Sequence, residues 1–380
     1  MFSLYIHWPF CESKCPYCDF NSHVLRTISE EIWIDAIIAE LTRTHRIMQP
    51  HTLHSIFFGG GTPSLMTPSA VEKVITAATT LWQTVPNLEI SMEANPGSVE
   101  AERFIGYQQA GVNRLSLGIQ ALNDEDLKTL GRKHSVAEAL KALDIAQNTF
   151  KRVSFDLIYA RPHQTLEAWE KELSFALSFG TEHLSLYQLT IEPGTAFAPL
   201  HQRGELIIPA ENEAYHLFKL TDALTSEKGL PAYEISNHAR AGAECQHNLT
   251  YWNYGDYVGI GPGAHGRIHQ ISDDSRIATQ QIKAPELWAH AVTKNGSGDQ
   301  SVIPLTIEEQ FQEQIMMGLR LTAGIDQTIL VRSFTEKEEM RLLTLQTEGL
   351  LMPLTQAQKQ LQLTPKGLLL LNAVLRYIFD

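Results

Sequence analysis

The sequence predicts an α/β protein, a partial (β/α)6 barrel followed by a smaller, mixed and mostly helical C-terminal domain. Three observations lead there. Six short apolar runs alternate with helical stretches through the first half of the 380-residue chain. Polar and glycine residues gather directly after those runs, where strands would end. The pattern then changes near Pro209 and turns mostly helical from about Thr306.

The strand candidates are Ser3 to Trp8, Thr52 to Phe58, Leu88 to Met92, Arg114 to Gln120, Arg152 to Ile158 and His183 to Thr190. They are rich in Leu, Ile, Val and Phe and are mostly followed by turn residues. Between them, Thr67 before Pro68 reads as a helix N-cap with proline at the first helical position. Ser135 and Glu138 have the spacing of a capping box, in which each side chain satisfies the other's free backbone N–H. Gly111 and Gly180 end helices by entering the left-handed conformation. Strand–helix units in succession require crossover connections and therefore a parallel sheet. Periodicity does not choose between an open doubly wound sheet and most of a barrel. Placement of the polar residues does. The cysteine-rich loop follows the first strand, "GGGTPS" the second and "EANPG" the third, while Gln120, Asp156, Tyr187 and Gln188 mark the later ones. Barrels build their sites at those strand ends.

After Pro209 a helix is expected to about Lys228, with Gly229 ending it. A Gly-, Tyr- and His-rich stretch follows, and Thr364-Pro365 starts another helix near the end. These shifts divide the chain into residues 1–230, 231–300 and 301–380.

Composition bounds the function. The apolar fraction of 43% and charged fraction of 19% are those of a globular protein with room for one large core or several smaller ones. No apolar run reaches the roughly 18 to 20 residues that cross a bilayer; "GLLLLNAVLRYIF" is interrupted by Asn372 and Arg376. Peripheral membrane contact stays open. The N-terminus lacks a basic region and a small-residue cleavage site, so a cytoplasmic location is expected. With 43 acidic against 30 basic side chains, the net charge of -13 opposes capture of nucleic acid.

Of the four cysteines, Cys11, Cys15 and Cys18 form a C-x3-C-x2-C cluster and Cys245 stands apart. Crowding of this kind reads as metal or cluster binding rather than a disulfide framework. Thiolates suit zinc, copper(I) and iron–sulfur clusters. Zinc in a structural site wants a closed tetrahedron, which His7 or His23 could complete. A [4Fe–4S] cluster usually takes four thiolates, so three leave one iron open to an exchangeable ligand. A set one short then suits a site that must bind something else. Gly59-Gly60-Gly61-Thr62, after a strand, is either a tight turn or a place where backbone approaches a ligand. Cys245 reads as a small buried hydrophobe. "GIGPGA" fits a dinucleotide fingerprint, but Pro262 sits inside it and neither a helix nor an acidic residue follows at the required distance. It reads as a glycine turn near the site's mouth.

With Tyr17 before the last cysteine and strand–helix units behind it, the motif resembles the radical S-adenosylmethionine superfamily. That resemblance implies a radical-SAM-type barrel over residues 1–230 and a cluster held by Cys11, Cys15 and Cys18. It implies that S-adenosylmethionine chelates the open iron through its amino and carboxylate groups, and that an electron splits the sulfonium to a 5′-deoxyadenosyl radical. Gly60, Gly61 and Thr62 match the segment that meets the methionyl amino group. Tyr5, Tyr17, Glu93, Gln120, Arg132 and Asp156 match positions lining the nucleoside and substrate side.

The segments "YIHWPFC", "FFGGGTPS", "RLSLGIQ", "LGRKH", "DLIY", "YEISNHA" and "GIGPGAH" run in order over most of the chain. They resemble the group of oxygen-independent coproporphyrinogen III oxidase, whose C-terminal domain "LTPKG" and its helix also resemble. That group has an oxidase branch and a haem-chaperone branch. The oxidase pattern carries a further cysteine where Phe20 stands, and an N-terminal extension where this chain enters its first strand almost at Met1. "HNLTYW" matches the H-N-x-x-Y-W motif associated with haem in the chaperone branch, implicating His247, Asn248, Tyr251 and Trp252. Imidazole can ligate haem iron and flat rings can stack on the macrocycle. The resemblance thus implies a haem chaperone carrying a [4Fe–4S] cluster with exchangeable S-adenosylmethionine, delivering haem to acceptor proteins. The alternatives are a coproporphyrinogen III dehydrogenase of porphyrin biosynthesis and a zinc-stabilised interaction protein.

Overall fold

The computed structural model describes residues 1–25, 29–48, 51–97, 101–272, 275–353 and 359–380. Its centre is an 11-stranded sheet. In chain order the strands are β1 (Phe2–Trp8), β2 (Leu53–Gly60), β3 (Thr84–Ala94), β4 (Arg114–Gln120), β5 (Arg152–Tyr159) and β6 (His183–Gln188). They continue as β7 (Asn237–Ala239), β8 (Asp256–Ile260), β9 (His265–His269), β10 (Arg276–Gln281) and β11 (Asp299–Pro304). In space the order is β11-β10-β9-β8-β1-β2-β3-β4-β5-β6-β7. Strands β1 to β6 are parallel neighbours in sequence order, as the expected partial (β/α)6 barrel requires.

Side-chain alternation sorts the two faces. On β1, Phe2, Leu4, Ile6 and Trp8 are buried in the main core. That core also takes Trp33, Ile34, Ile37 and Leu41 from the helix Glu30–Ile47. Ser3, Tyr5 and His7 alternate with them and belong to a polar interior face. Register extends this face across the sheet: Tyr5 pairs with Phe57, Phe57 with Ser91, Ser91 with Arg114, and Glu93 with Ser116. Because both faces are covered, β1 reads as a nearly continuous apolar run interrupted by polar residues.

The expected helix ends are present. Thr67 accepts a hydrogen bond from the Ala70 N–H at 3.2 Å with Pro68 following. Ser135 and Glu138 form the reciprocal box, and Thr364 caps the helix that starts at Pro365. Gly111 and Gly180 take positive φ of 110° and 69°. The helix after Pro209 spans Glu211–Glu227.

Residues 237–304 depart from the sequence reading, which assigned no strands there, whereas β7 to β11 extend the sheet at its two edges. Strands β9 and β10 are antiparallel, and Ile268 and Ile277, paired across them, are their deeply buried apolar residues. Glycines hide the rest of the pattern. A Cβ at Gly259 would fall 2.1 Å from the His265 carbonyl oxygen, so glycine here permits close strand approach. Gly261 and Gly263, with φ of 113° and 76°, make the turn between β8 and β9. "GIGPGA" is therefore a turn followed by a strand. A second core cluster, including Phe311, Ile315, Leu319, Leu345, Leu361, Val374 and Ile378, unites the C-terminal helices.

Candidate functional site

The loop after β1 folds back on itself. Phe10–Cys11 pairs in parallel with His23–Val24, and the Cys18 N–H reaches the Cys15 carbonyl at 3.1 Å. Cys11, Cys15 and Cys18 consequently line one cavity of about 500 Å³ at the C-terminal ends of the barrel strands. Its walls also include Tyr17, Gly60, Gly61, Thr62, Glu93, Asn95, Gln120, Arg132, Asp156 and Tyr187. Of the residues expected around a nucleoside cofactor, Tyr5 alone does not border it; that ring lies beneath Gly59.

Two of the three thiols accept a side-chain hydrogen bond. Thr62 Oγ1 donates to Cys11 Sγ and Arg132 Nη1 to Cys15 Sγ, both at 3.4 Å. Burial pushes the Cys11 and Cys18 thiols up from their ordinary values. The histidines that might close a zinc tetrahedron are engaged elsewhere. His7 Nε2 donates to the Asn21 carbonyl at 2.9 Å, which leaves Nδ1 to accept from the Tyr5 hydroxyl at 3.0 Å. His23 Nε2 contacts Asn21 Oδ1 at 3.2 Å. Among the described residues no group of three His, Cys, Asp or Glu is placed to hold a single metal ion.

The glycine ribbon serves the protein's own packing. A Cβ at Gly60, where φ is 110°, would fall 2.6 Å from the His7 ring, and one at Gly61 would fall 2.7 Å from the Phe10 carbonyl oxygen. Gly61 N–H bonds to Trp8 O at 2.7 Å and Thr62 N–H to Phe10 O at 2.8 Å, locking the ribbon to the cysteine loop.

Across the cavity stand acceptors short of donors. Glu93 Oε2 takes the Gly60 N–H at 3.3 Å. Burial, reinforced by the Asp156 charge, raises the Glu93 carboxyl to about 8. Asp156 accepts from Ser116 Oγ at 3.1 Å, yet burial still lifts it to about 6. Gln120 is held at φ 74°, a strained conformation for a non-glycine residue, and its enclosed Oε1 has no partner among the described residues. Arg132 Nη2 is spent on Asn95 Oδ1 at 2.5 Å and Gly118 O at 2.9 Å. The chemistry is two-sided, with soft thiol donors at one wall. The other holds buried carboxyls that have few donors and no cation paired to them among the described residues, beside the Gln120 amide oxygen. Such a cavity suits an iron–sulfur cluster beside a cationic ligand rich in N–H and O–H donors.

The H-N-x-x-Y-W residues come together, but away from the cavity. Helix Gln246–Trp252 packs on the polar face of β1 and β2. His247 is 6% exposed. Its ring stacks against Tyr5, with centroids 5.7 Å apart and planes at 17°, and against Phe57, at 5.0 Å and 26°, two rings that are themselves 6.3 Å apart. Burial drives its pKa down to about 3, with Arg114 adding to the effect. Asn248 Nδ2 reaches the Tyr233 hydroxyl at 3.4 Å, and Tyr251 packs on Trp252 at 4.6 Å. Cys245 is buried with Sγ 3.5 Å from Glu89 Oε1, and burial raises its thiol to about 12.

Sequence reading missed Asn21, whose side-chain N–H groups donate to Pro262 O at 2.8 Å and Lys283 O at 2.9 Å. No motif announces a residue that bridges segments 241 and 262 positions away. It also missed the buried Glu89, which pairs with Arg152 at 2.5 Å and caps the Gln246 N–H at 2.9 Å.

The chain is similar to known proteins in sequence and in fold. The family described as "Radical SAM superfamily" matches residues 5–176. Heme chaperone HemW of Escherichia coli (strain K12) is 41% identical over 285 residues, covering 74% of each chain. The Bacillus subtilis protein of the same name is 34% identical, over 89% of this chain and 87% of that one. Radical S-adenosyl methionine domain-containing protein 1, mitochondrial, of Bos taurus is 39% identical over 85% of this chain and 74% of its own length. Among solved structures, coproporphyrinogen III oxidase (HemN) from Escherichia coli superposes with a TM-score of 0.82. That match covers 99% of this chain and 89% of the other at 22% identity, and so speaks to the fold.

Proposed function

Because the chain belongs to the radical S-adenosylmethionine superfamily, in the HemN-like group that holds the HemW proteins, we propose that it is a haem chaperone. In this reading it binds haem and passes it to acceptor proteins, with a [4Fe–4S] cluster and exchangeable S-adenosylmethionine in the cavity described above. The observation that carries the reading is the match to proteins named heme chaperone HemW, 34% to 43% identical over most of the chain. The oxidase reading rests on a likeness of fold at 22% identity. At the position of that pattern's extra cysteine, Phe20 stands 58% exposed and offers no thiol.

Cys11, Cys15 and Cys18 would hold the cluster, and Glu93, Gln120 and Asp156 would receive the amino and hydroxyl donors of S-adenosylmethionine. When bound, the two groups supply an open iron coordination site and a one-electron reduction of the sulfonium. The protein's part is electrostatic and steric. Thr62 and Arg132 steady two of the sulfurs, and Glu93 and Asp156 await a positive ligand. On the cysteine loop, Phe20 and Val24 are 58% and 50% exposed, an apolar surface that a porphyrin face can cover. No described helix is long and apolar enough to cross a membrane. A cytoplasmic location belongs to the same proposal, while the animal relative's name places that protein in mitochondria.

The test is a hemin titration of anaerobically reconstituted protein, followed by mixing with an apo-haemoprotein. The reading expects a saturable Soret band near one haem per chain and transfer to the acceptor. Absence of haem uptake removes it. Conversion of coproporphyrinogen to protoporphyrinogen under reducing conditions with S-adenosylmethionine would establish the oxidase instead.

A further inference from the structure

The H-N-x-x-Y-W helix is built into the floor beneath the cavity, and its contacts point upward. The His247 ring stacks against both Tyr5 and Phe57, which are themselves neighbours with centroids 6.3 Å apart. Tyr5 passes the contact on in two directions. Its hydroxyl bonds His7 Nδ1 at 3.0 Å, and its ring edge occupies the space of a Gly59 Cβ at 2.8 Å. His7 in turn holds the Asn21 carbonyl, three residues past Cys18, and fills the space of a Gly60 Cβ. The helix itself is pinned to the strands that carry these loops. Gln246 N–H bonds Glu89 on β3 at 2.9 Å, and Thr250 Oγ1 accepts from Ser3 on β1 at 2.7 Å.

We propose that His247 is a positioning residue: its ring props Tyr5 and, through His7, sets the spacing between the cysteine loop and the Gly59–Gly61 ribbon. Haem iron is not its partner. The imidazole is 6% exposed and, among the described residues, its enclosed Nδ1 has no hydrogen-bond partner, so a haem could reach it only if the helix moved away. The ring contributes thickness and rigidity, so an aromatic carbon ring should substitute for it where a methyl cannot. The inference rests on reading the cavity as the S-adenosylmethionine site.

The experiment compares reconstituted wild-type protein with His247→Ala and His247→Phe. S-adenosylmethionine affinity is read from the change in the electron paramagnetic resonance spectrum of the reduced cluster, and haem uptake from the Soret band. The alanine variant should bind S-adenosylmethionine roughly tenfold more weakly, within the range for residues along a packed network. It should keep its haem stoichiometry, and the phenylalanine variant should recover affinity to within about twofold of wild type. Unchanged S-adenosylmethionine affinity in the alanine variant overturns the proposal, as does loss of haem uptake in the phenylalanine variant. If the alanine variant fails to hold its cluster, the phenylalanine variant decides alone: wild-type affinity with haem retained supports the proposal. A wild-type spectrum indifferent to S-adenosylmethionine would remove the site reading, a separate result.

Discussion

The carboxylate of Glu93 accepts the backbone N–H of Gly60 at 3.3 Å, and this bond joins the acidic wall of the cavity to the ribbon that grips the cysteine loop. One neutral donor does not compensate a buried charge. Glu93 is accordingly raised to about 8, by burial first and the Asp156 charge second. A carboxyl whose folded value lies above its unfolded one favours the folded state below the unfolded value of about 4.5. That contribution is lost as pH rises toward 8. The ligand-free protein should therefore lose thermal stability between about pH 4.5 and 8, and Glu93→Gln should flatten that slope. Affinity for a cationic ligand should run the other way, rising with pH in wild type and less steeply in the variant, where Asp156 alone still ionises. Differential scanning fluorimetry across pH checks the first and isothermal titration the second.

Replacing Cys11, Cys15 or Cys18 singly by Ser should cut iron and acid-labile sulfide from about four per chain to below about one after anaerobic reconstitution. Cys245→Ala should leave both unchanged, since that thiol is buried against Glu89. Elemental analysis with sulfide assay distinguishes the two groups.

Arg132 donates to Cys15 Sγ at 3.4 Å. A positive donor near a cluster sulfur favours the reduced state. Arg132→Met should shift the midpoint potential to more negative values, as measured by spectroelectrochemical titration. The variant also leaves Asn95 Oδ1 and Gly118 O without their donor, so stability should drop by roughly 1–3 kcal/mol in chemical denaturation.

Gly61→Ala tests the ribbon. The added Cβ would meet backbone atoms of Pro9 and Phe10 at 2.7 to 2.9 Å, and backbone cannot turn aside as a side chain can. The cysteine loop must move, so reconstituted iron should fall as far as in the cysteine variants while far-ultraviolet circular dichroism stays native.

The legible parts of this molecule were those in which neighbours in sequence are neighbours in space. Strands β1 to β6 announced themselves by apolar runs, and the caps at Thr67, Ser135 and Thr364 by spacing. The three cysteines lie on one loop, so their proximity needed no fold. Residues 237–304 were illegible because glycines such as Gly259 serve close strand approach there and erase the alternating pattern. The polar interior of the barrel was also hidden: Arg114, Glu89 and Cys245 meet only through the register of β3 and β4 and the return of the chain near residue 245. His247 shows the limit most plainly. Its motif was visible, but only the fold shows that its ring stacks against Tyr5 and Phe57, far earlier in the chain.

The open-corner cluster is tested most directly by Mössbauer spectroscopy of ⁵⁷Fe-reconstituted protein with and without S-adenosylmethionine. The account predicts a four-iron cluster in which about a quarter of the signal, from the iron without a cysteine, shifts when the cofactor is added. A spectrum in which all iron sites ignore S-adenosylmethionine, or a protein that takes up zinc and no sulfide, would contradict it.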